Sequence, residues 1–120
     1  MPGVTGAELR ALCLGLPGAR EEFPFRPGLS VFKVGGKVFA LCARADEPLR
    51  VSVKCEPELG AELRATYRAI VPGYHLNKRH WLTVTDDGSL PAGLVRDVVT
   101  GSFELVAAKL PGRARGSPRV

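Results

Sequence analysis

Residues 29–42 read Leu29-Ser30-Val31-Phe32-Lys33-Val34-Gly35-Gly36-Lys37-Val38-Phe39-Ala40-Leu41-Cys42. Branched and aromatic side chains fill both arms, as suits a pleated, half-buried surface. The Gly35-Gly36 dipeptide between them tolerates the positive φ angles of a tight hairpin. The segment therefore predicts two antiparallel strands, and the rest of the chain is read outward from them. A third run, Leu49-Arg50-Val51-Ser52-Val53-Lys54, alternates cleanly. Leu49, Val51 and Val53 are expected to face a core, while Arg50, Ser52 and Lys54 face outward. One sheet face is thus expected to be wet and partly basic.

Upstream, Thr5 and Glu8 form a capping box, and Leu9, Leu12, Cys13 and Leu16 repeat at helical spacing. Pro17-Gly18 ends that helix. Phe23 and Phe25 alternate across a short strand that Pro24 confines to an edge. Downstream, Pro57 suits the first turn of a second helix, which Leu59, Leu63, Tyr67 and Ile70 extend to about three turns. Pro72-Gly73 breaks the pattern. Trp81 to Thr85 reads as another strand, closed by the Asp86-Asp87-Gly88 turn, and an apolar strand opening on Trp81 places that ring in the core. Ser89 is a candidate cap for a third helix bearing Leu94, Val95, Val98 and Val99. Gly101-Ser102 then restarts the chain into a last helix through Phe103, Val106, Ala107 and Leu110. The order is α-β-β-β-β-α-β-α-α: an α+β class, with one antiparallel sheet of about five strands and helices on one face. Residues 1–112 form this single domain, and 113–120 are expected to be a short, basic, flexible tail.

At 120 residues, 45% hydrophobic and 24% charged, the chain has the makings of one ordinary globular core that needs no disulfide or metal staple. Seventeen Lys and Arg against twelve Asp and Glu give a net charge of +5. Lys109, Arg113, Arg115 and Arg119 supply four of those bases, so residues 1–108 hold thirteen bases and twelve acids, a net of only +1. Where the body's bases sit therefore matters more than their total. The start carries neither a basic leader nor a long apolar run, which gives a cytoplasmic expectation with no membrane partner. Cys13, Cys42 and Cys55 are odd in number and set in apolar stretches, as buried reduced thiols are. They form no CxxC, and no HxxxH or carboxylate-rich spacing accompanies them, so no metal and no cofactor are expected.

An enzyme reading finds no purchase in GxSxG, GxGxxG, Walker or HExxH patterns. The alternatives within catalysis are His75 and His80 as acid and base in the 74–81 loop, or Cys42 or Cys55 as a nucleophile exposed beside a base.

The one unusual stretch is Pro72-Gly73-Tyr74-His75-Leu76-Asn77-Lys78-Arg79-His80-Trp81. A packed core has no use for two histidines, an amide and two bases so close together. The plain alternative is a solvated connection anchored at its ends by Tyr74 and Trp81. As an anion-binding loop, Lys78 and Arg79 would supply charge, and His75, Asn77 and His80 hydrogen bonds to phosphate oxygens or base edges. Lys33 and Lys37 beside the hairpin, and Arg50 and Lys54 on the outward strand face, are further candidates; their alternative roles are solubility and protection of a sheet edge.

This stretch, with Leu16-Pro17-Gly18-Ala19, Phe32-Lys33-Val34, Lys37-Val38-Phe39-Ala40 and Val53-Lys54-Cys55-Glu56-Pro57, resembles the MmcQ/YjbR-like family of small bacterial proteins. The likeness continues in register through Leu90-Pro91, Ser102-Phe103 and Lys109-Leu110-Pro111. Glu56 stands where relatives often carry Asp, a weaker cap. The resemblance implies an α+β domain similar to frataxin (CyaY-like) and a proposed double-wing type of DNA binding. Iron chemistry is not implied, since the first helix offers only Glu8, with Glu21 and Glu22 just beyond it.

The resulting expectation is a non-catalytic monomer that binds double-stranded DNA through phosphates, with little sequence preference and a log–log salt slope of around −4 to −5. The competing class is a module on the same face that binds an acidic protein, a small anion or a nucleotide.

Overall fold

The computed structural model describes residues 4–43, 45–73, 77 and 79–110. Helix α1 (Gly6–Leu14) starts at the expected capping box: Thr5 Oγ accepts from the Glu8 amide, and the Glu8 carboxylate accepts from the Thr5 amide. Four strands follow, β1 (Arg20–Glu22), β2 (Leu29–Val34), β3 (Lys37–Ala43) and β4 (Leu49–Lys54). Then come α2 (Pro57–Thr66), β5 (Ile70–Pro72), β6 (Trp81–Asp86) and α3 (Leu94–Ala107). The strands make one six-stranded sheet in the order β1-β2-β3-β4-β6-β5, with every neighbouring pair antiparallel. Both outer strands are three residues long.

The α+β class and the single sheet stand as the sequence predicts, with four differences in detail. Phe23 and Phe25 are not strand residues: β1 is Arg20–Glu22, and both rings are exposed beyond it. Ile70 belongs to a sixth strand rather than to α2, whose cap residue Tyr67 is already extended at φ −122° and ψ 120°. The two expected terminal helices are one, since α3 runs unbroken through Gly101 and Ser102. Ser89 does not cap it; its amide and hydroxyl both donate to Asp87, and Gly93, at φ 85°, stands at the cap position. The tail at 113–120 lies outside the described residues.

The core lies between the sheet and its helices. Phe32, Phe39, Cys42, Val51, Val53, Leu82 and Val84 point from the sheet into it, and Leu9, Cys13, Val95, Val99, Phe103 and Val106 close it from α1 and α3. A register shift in the β2–β3 ladder, where Phe32 pairs with Ala40 but Lys33 with Val38, makes Phe39 an extra residue. Its ring meets Phe103 edge-on at 5.4 Å and Phe32 at 6.4 Å, a geometry that favours aromatic pairs. The bulge also ends the β3–β4 ladder at Ala40–Val53. The buried Ser102 hydroxyl takes over there, donating to the Phe39 carbonyl and accepting from the Lys54 amide. On the other flank Glu21 joins three elements, accepting from Arg10 of α1 and Ser30 of β2, each at 2.8 Å. Helix α2 packs on the same side of the sheet through Gly60, where a Cβ would lie 3.5 Å from Leu82. None of the described helices covers the opposite face of the sheet.

Candidate nucleic-acid interface

Residues directly opposite in an antiparallel ladder share a face, so the register assigns the open face. From β1 to β5 its central row is Glu22, Val31, Leu41, Ser52, Thr83 and Val71. A second row opposes Arg20 to Lys33 and Lys33 to Val38, and further along β4 and β6 the same face holds Lys54 opposite Trp81 and Arg50 opposite Thr85. Ser52 and Thr83 are joined hydroxyl to hydroxyl at 3.0 Å. Leu49, Val51 and Val53 are buried on the other side, so the alternation read in β4 holds residue by residue.

Three of the candidate bases therefore share this face: Lys33, Arg50 and Lys54. Lys37 does not, because it pairs with the core residue Val34 at the hairpin end. Arg50 and Lys54 are four residues apart on one strand, a span of roughly 13 Å. Their electrostatic settings differ. Lys33 Nζ lies 2.9 Å from Glu22 Oε1, and Arg50 reaches Asp46 at 3.5 Å. Lys54 has no ion pair among the described residues, so its charge is the least compensated of the three.

The loop after β5 is tied to the Lys54 end. The His80 carbonyl accepts from the Cys55 amide at 2.8 Å, which carries the β4–β6 register one step past Lys54–Trp81. Gly73 donates to the Trp81 carbonyl at 2.8 Å, and a Cβ at Gly73 would lie only 2.6 Å from the Trp81 Cβ. Only glycine lets the two strands approach so closely. Asn77 shapes the turn itself. Its Oδ1 accepts from the Arg79 amide, and its carbonyl accepts from the His80 and Trp81 amides. This Asx turn leaves the Asn77 amide nitrogen and the exposed Arg79 at the same end of the sheet as Lys54. His80 sits alongside Cys55, the residue that leans on the core, rather than alongside Lys54. His75 and Lys78 lie outside the described residues.

Trp81 departs from its expected place in the core. Its register partner is Lys54, so its half-buried ring belongs to the open face, and the core contacts of β6 come from Leu82 and Val84. The strand begins one residue out of phase with the assumption that its largest apolar residue must be internal.

The thiols gain no support as nucleophiles. Cys13 and Cys42 are buried. Burial, then the neighbouring Cys42 and Glu21, push the Cys13 thiol up to about 12. Burial and the Glu56 carboxylate likewise raise Cys55 above the ordinary thiol value. Among the described residues no three His, Cys, Asp or Glu side chains gather as a metal site. None of the described helices is long and apolar enough to cross a membrane.

Comparison with known proteins places the chain in a family. The YjbR family model matches residues 14–105. The uncharacterised protein YbdF of Escherichia coli O157:H7 is 35% identical over 104 residues, 87% of this chain and 85% of its own. The uncharacterised protein YjbR of Escherichia coli K12 is 34% identical over 112 residues, 93% of this chain and 95% of its own. The crystal structure of the Deinococcus radiodurans protein DR2400, a DUF419 domain, superposes with a TM-score of 0.88 at 44% identity, covering 96% of this chain and 88% of that one.

Proposed function

Because this chain belongs to the YjbR family, whose model spans its sheet and most of its helices, we propose for it the DNA-binding role expected from the resemblance, exercised through the open face. The observation that supports this reading is the grouping of Lys54, Trp81 and Arg79 at one end of a sheet face that no described helix covers, with Arg50 and Lys33 further along the same surface. Lysine and arginine neutralise phosphates, the half-buried Ser52 hydroxyl offers a polar contact, and the half-buried Trp81 ring adds a stackable surface. Phosphate contacts of this kind position a duplex without reading its sequence, so little sequence preference is expected.

The test is a titration of fluorescent duplex and single-stranded DNA at two salt concentrations. Binding that falls steeply with salt supports the reading. Folded protein that leaves both DNAs free at low salt overturns it. Preference for the single strand would point to Trp81 as a stacking platform rather than to a duplex groove.

A further inference from the structure

The other end of the open face holds a cavity whose lining shares Arg50, Ser52 and Thr83 with the DNA reading but adds Phe25, Arg26 and Leu29. The cavity, of about 470 Å³, opens between the Arg26–Leu29 turn and the strands β3, β4 and β6. Leu41 and the hydrogen-bonded pair Ser52 and Thr83 line it from the sheet. Leu29, Ala43 and the Phe25 ring form its apolar side, and Phe25 is 71% exposed. Two guanidinium groups, Arg26 and Arg50, stand at the cavity against one carboxylate, Asp46. Arg26 is folded back toward its own turn, since a Cβ at Gly28 would lie 3.2 Å from its Nη1.

We propose that this cavity binds a small organic anion with a flat apolar body: an aromatic carboxylate or the matching phosphate monoester. The volume falls within the range of small-molecule sites, which are mostly apolar with a few convergent polar groups. The excess of guanidinium over carboxylate selects a negative head group, because arginine engages carboxylate and phosphate oxygens in bidentate fashion. Apolar walls and an exposed ring suit an aromatic body, and the half-buried Ser52 hydroxyl adds a polar contact. Arg50 lies 3.5 Å from Asp46, a loose pair that an incoming anion can exchange for a shorter one. The cavity overlaps the DNA reading at Arg50, Ser52 and Thr83 and is distinguished from it by Arg26 and the apolar wall, whereas Lys54 lies outside its lining.

Naphthoate, naphthyl phosphate and neutral naphthol are titrated into the full-length protein while its amide NMR spectrum is recorded. Expected are shifts clustered at Leu29, Leu41, Ala43, Ser52 and Thr83, a naphthoate Kd at or below about 1 mM, and weaker binding of naphthol. Relative strength of the two acids tells whether carboxylate or phosphate is the preferred head. Arg26→Ala with Arg50→Ala should weaken the anions at least about tenfold and leave naphthol unchanged. The proposal is overturned by shifts scattered over the surface, by no saturation well above the millimolar range, or by equal anion binding in the folded double variant. Lys54→Ala separates the two readings, since it should reduce DNA binding and leave naphthoate binding intact.

Discussion

The Ser102 hydroxyl donates to the Phe39 carbonyl across 2.7 Å, joining residues 63 positions apart, and accepts the Lys54 amide at 2.8 Å. One side chain from α3 thus completes the hydrogen bonding that the β3 bulge removes from the β3–β4 ladder. Ser102→Ala would leave a buried carbonyl and an amide without partners. A loss of about 2–3 kcal/mol is expected in urea unfolding, and Ser102→Thr, which keeps the hydroxyl, should recover part of it.

Gly73 and Gly101 should respond to alanine in opposite directions. At Gly73 the added Cβ lies 2.6 Å from the Trp81 Cβ and must displace backbone at the β5–β6 junction. About 1–3 kcal/mol of destabilisation follows. At Gly101, exposed inside α3, nothing lies within 4 Å, and alanine's higher helix propensity should add about 0.5–1 kcal/mol. Thermal unfolding of the two variants checks the pair of signs.

Alkaline stability should depend on the thiols of Cys13 and Cys55, both raised by burial, with Cys13 the larger contributor. The folded value of Cys13 is raised to about 12 from 9.0, so folding favours the protonated form. That contribution is fully present below pH 9 and is lost as pH rises from 9 toward 12, because the unfolded chain ionises first. The limiting slope is about 1.4 kcal/mol per pH unit. Denaturant midpoints measured across this window should fall, and Cys13→Ala should flatten the decline.

The salt dependence of DNA binding should sort the bases by their present partners. Lys54→Ala with Arg79→Ala should reduce the log–log slope by about two. Lys33→Ala should reduce it by less than one, because Glu22 already holds that ammonium at 2.9 Å. Glu22→Gln should then strengthen DNA binding. Anisotropy titrations at several salt concentrations give each slope directly, and equal slopes in all variants would remove the open face from the reading.

Local signals carry most of the fold. The Thr5–Glu8 capping box, the Gly35-Gly36 turn and the alternation in β4 each act over a few residues, and each appears where the spacing places it. Sequence and structure part where tertiary context overrides such signals. Ile70 continues the helical spacing of Leu59 and Leu63, yet pairing with Val84 draws it into the sheet. Gly101-Ser102 resembles a break, but packing of α3 across the sheet carries the helix through it and gives the Ser102 hydroxyl its two partners. Of the candidate bases, the Arg50–Lys54 grouping is legible because it lies on one strand. The separation of Lys37 from Lys33 follows from the two-residue Gly35-Gly36 turn, which sets Val34 opposite Lys37 and Lys33 opposite Val38, whereas the anion cavity depends on a turn meeting three strands and has no linear signature.

The three-residue lengths of β1 and β5 bear on how this protein meets others. A strand arriving at either margin would find only a few backbone groups to pair with, and beside β5 the margin ends on Pro72, which has no amide hydrogen to give. The sheet is thereby guarded against stacking edge to edge into longer ribbons. The face that no described helix covers is in this way kept from becoming a template for the molecule's own aggregation.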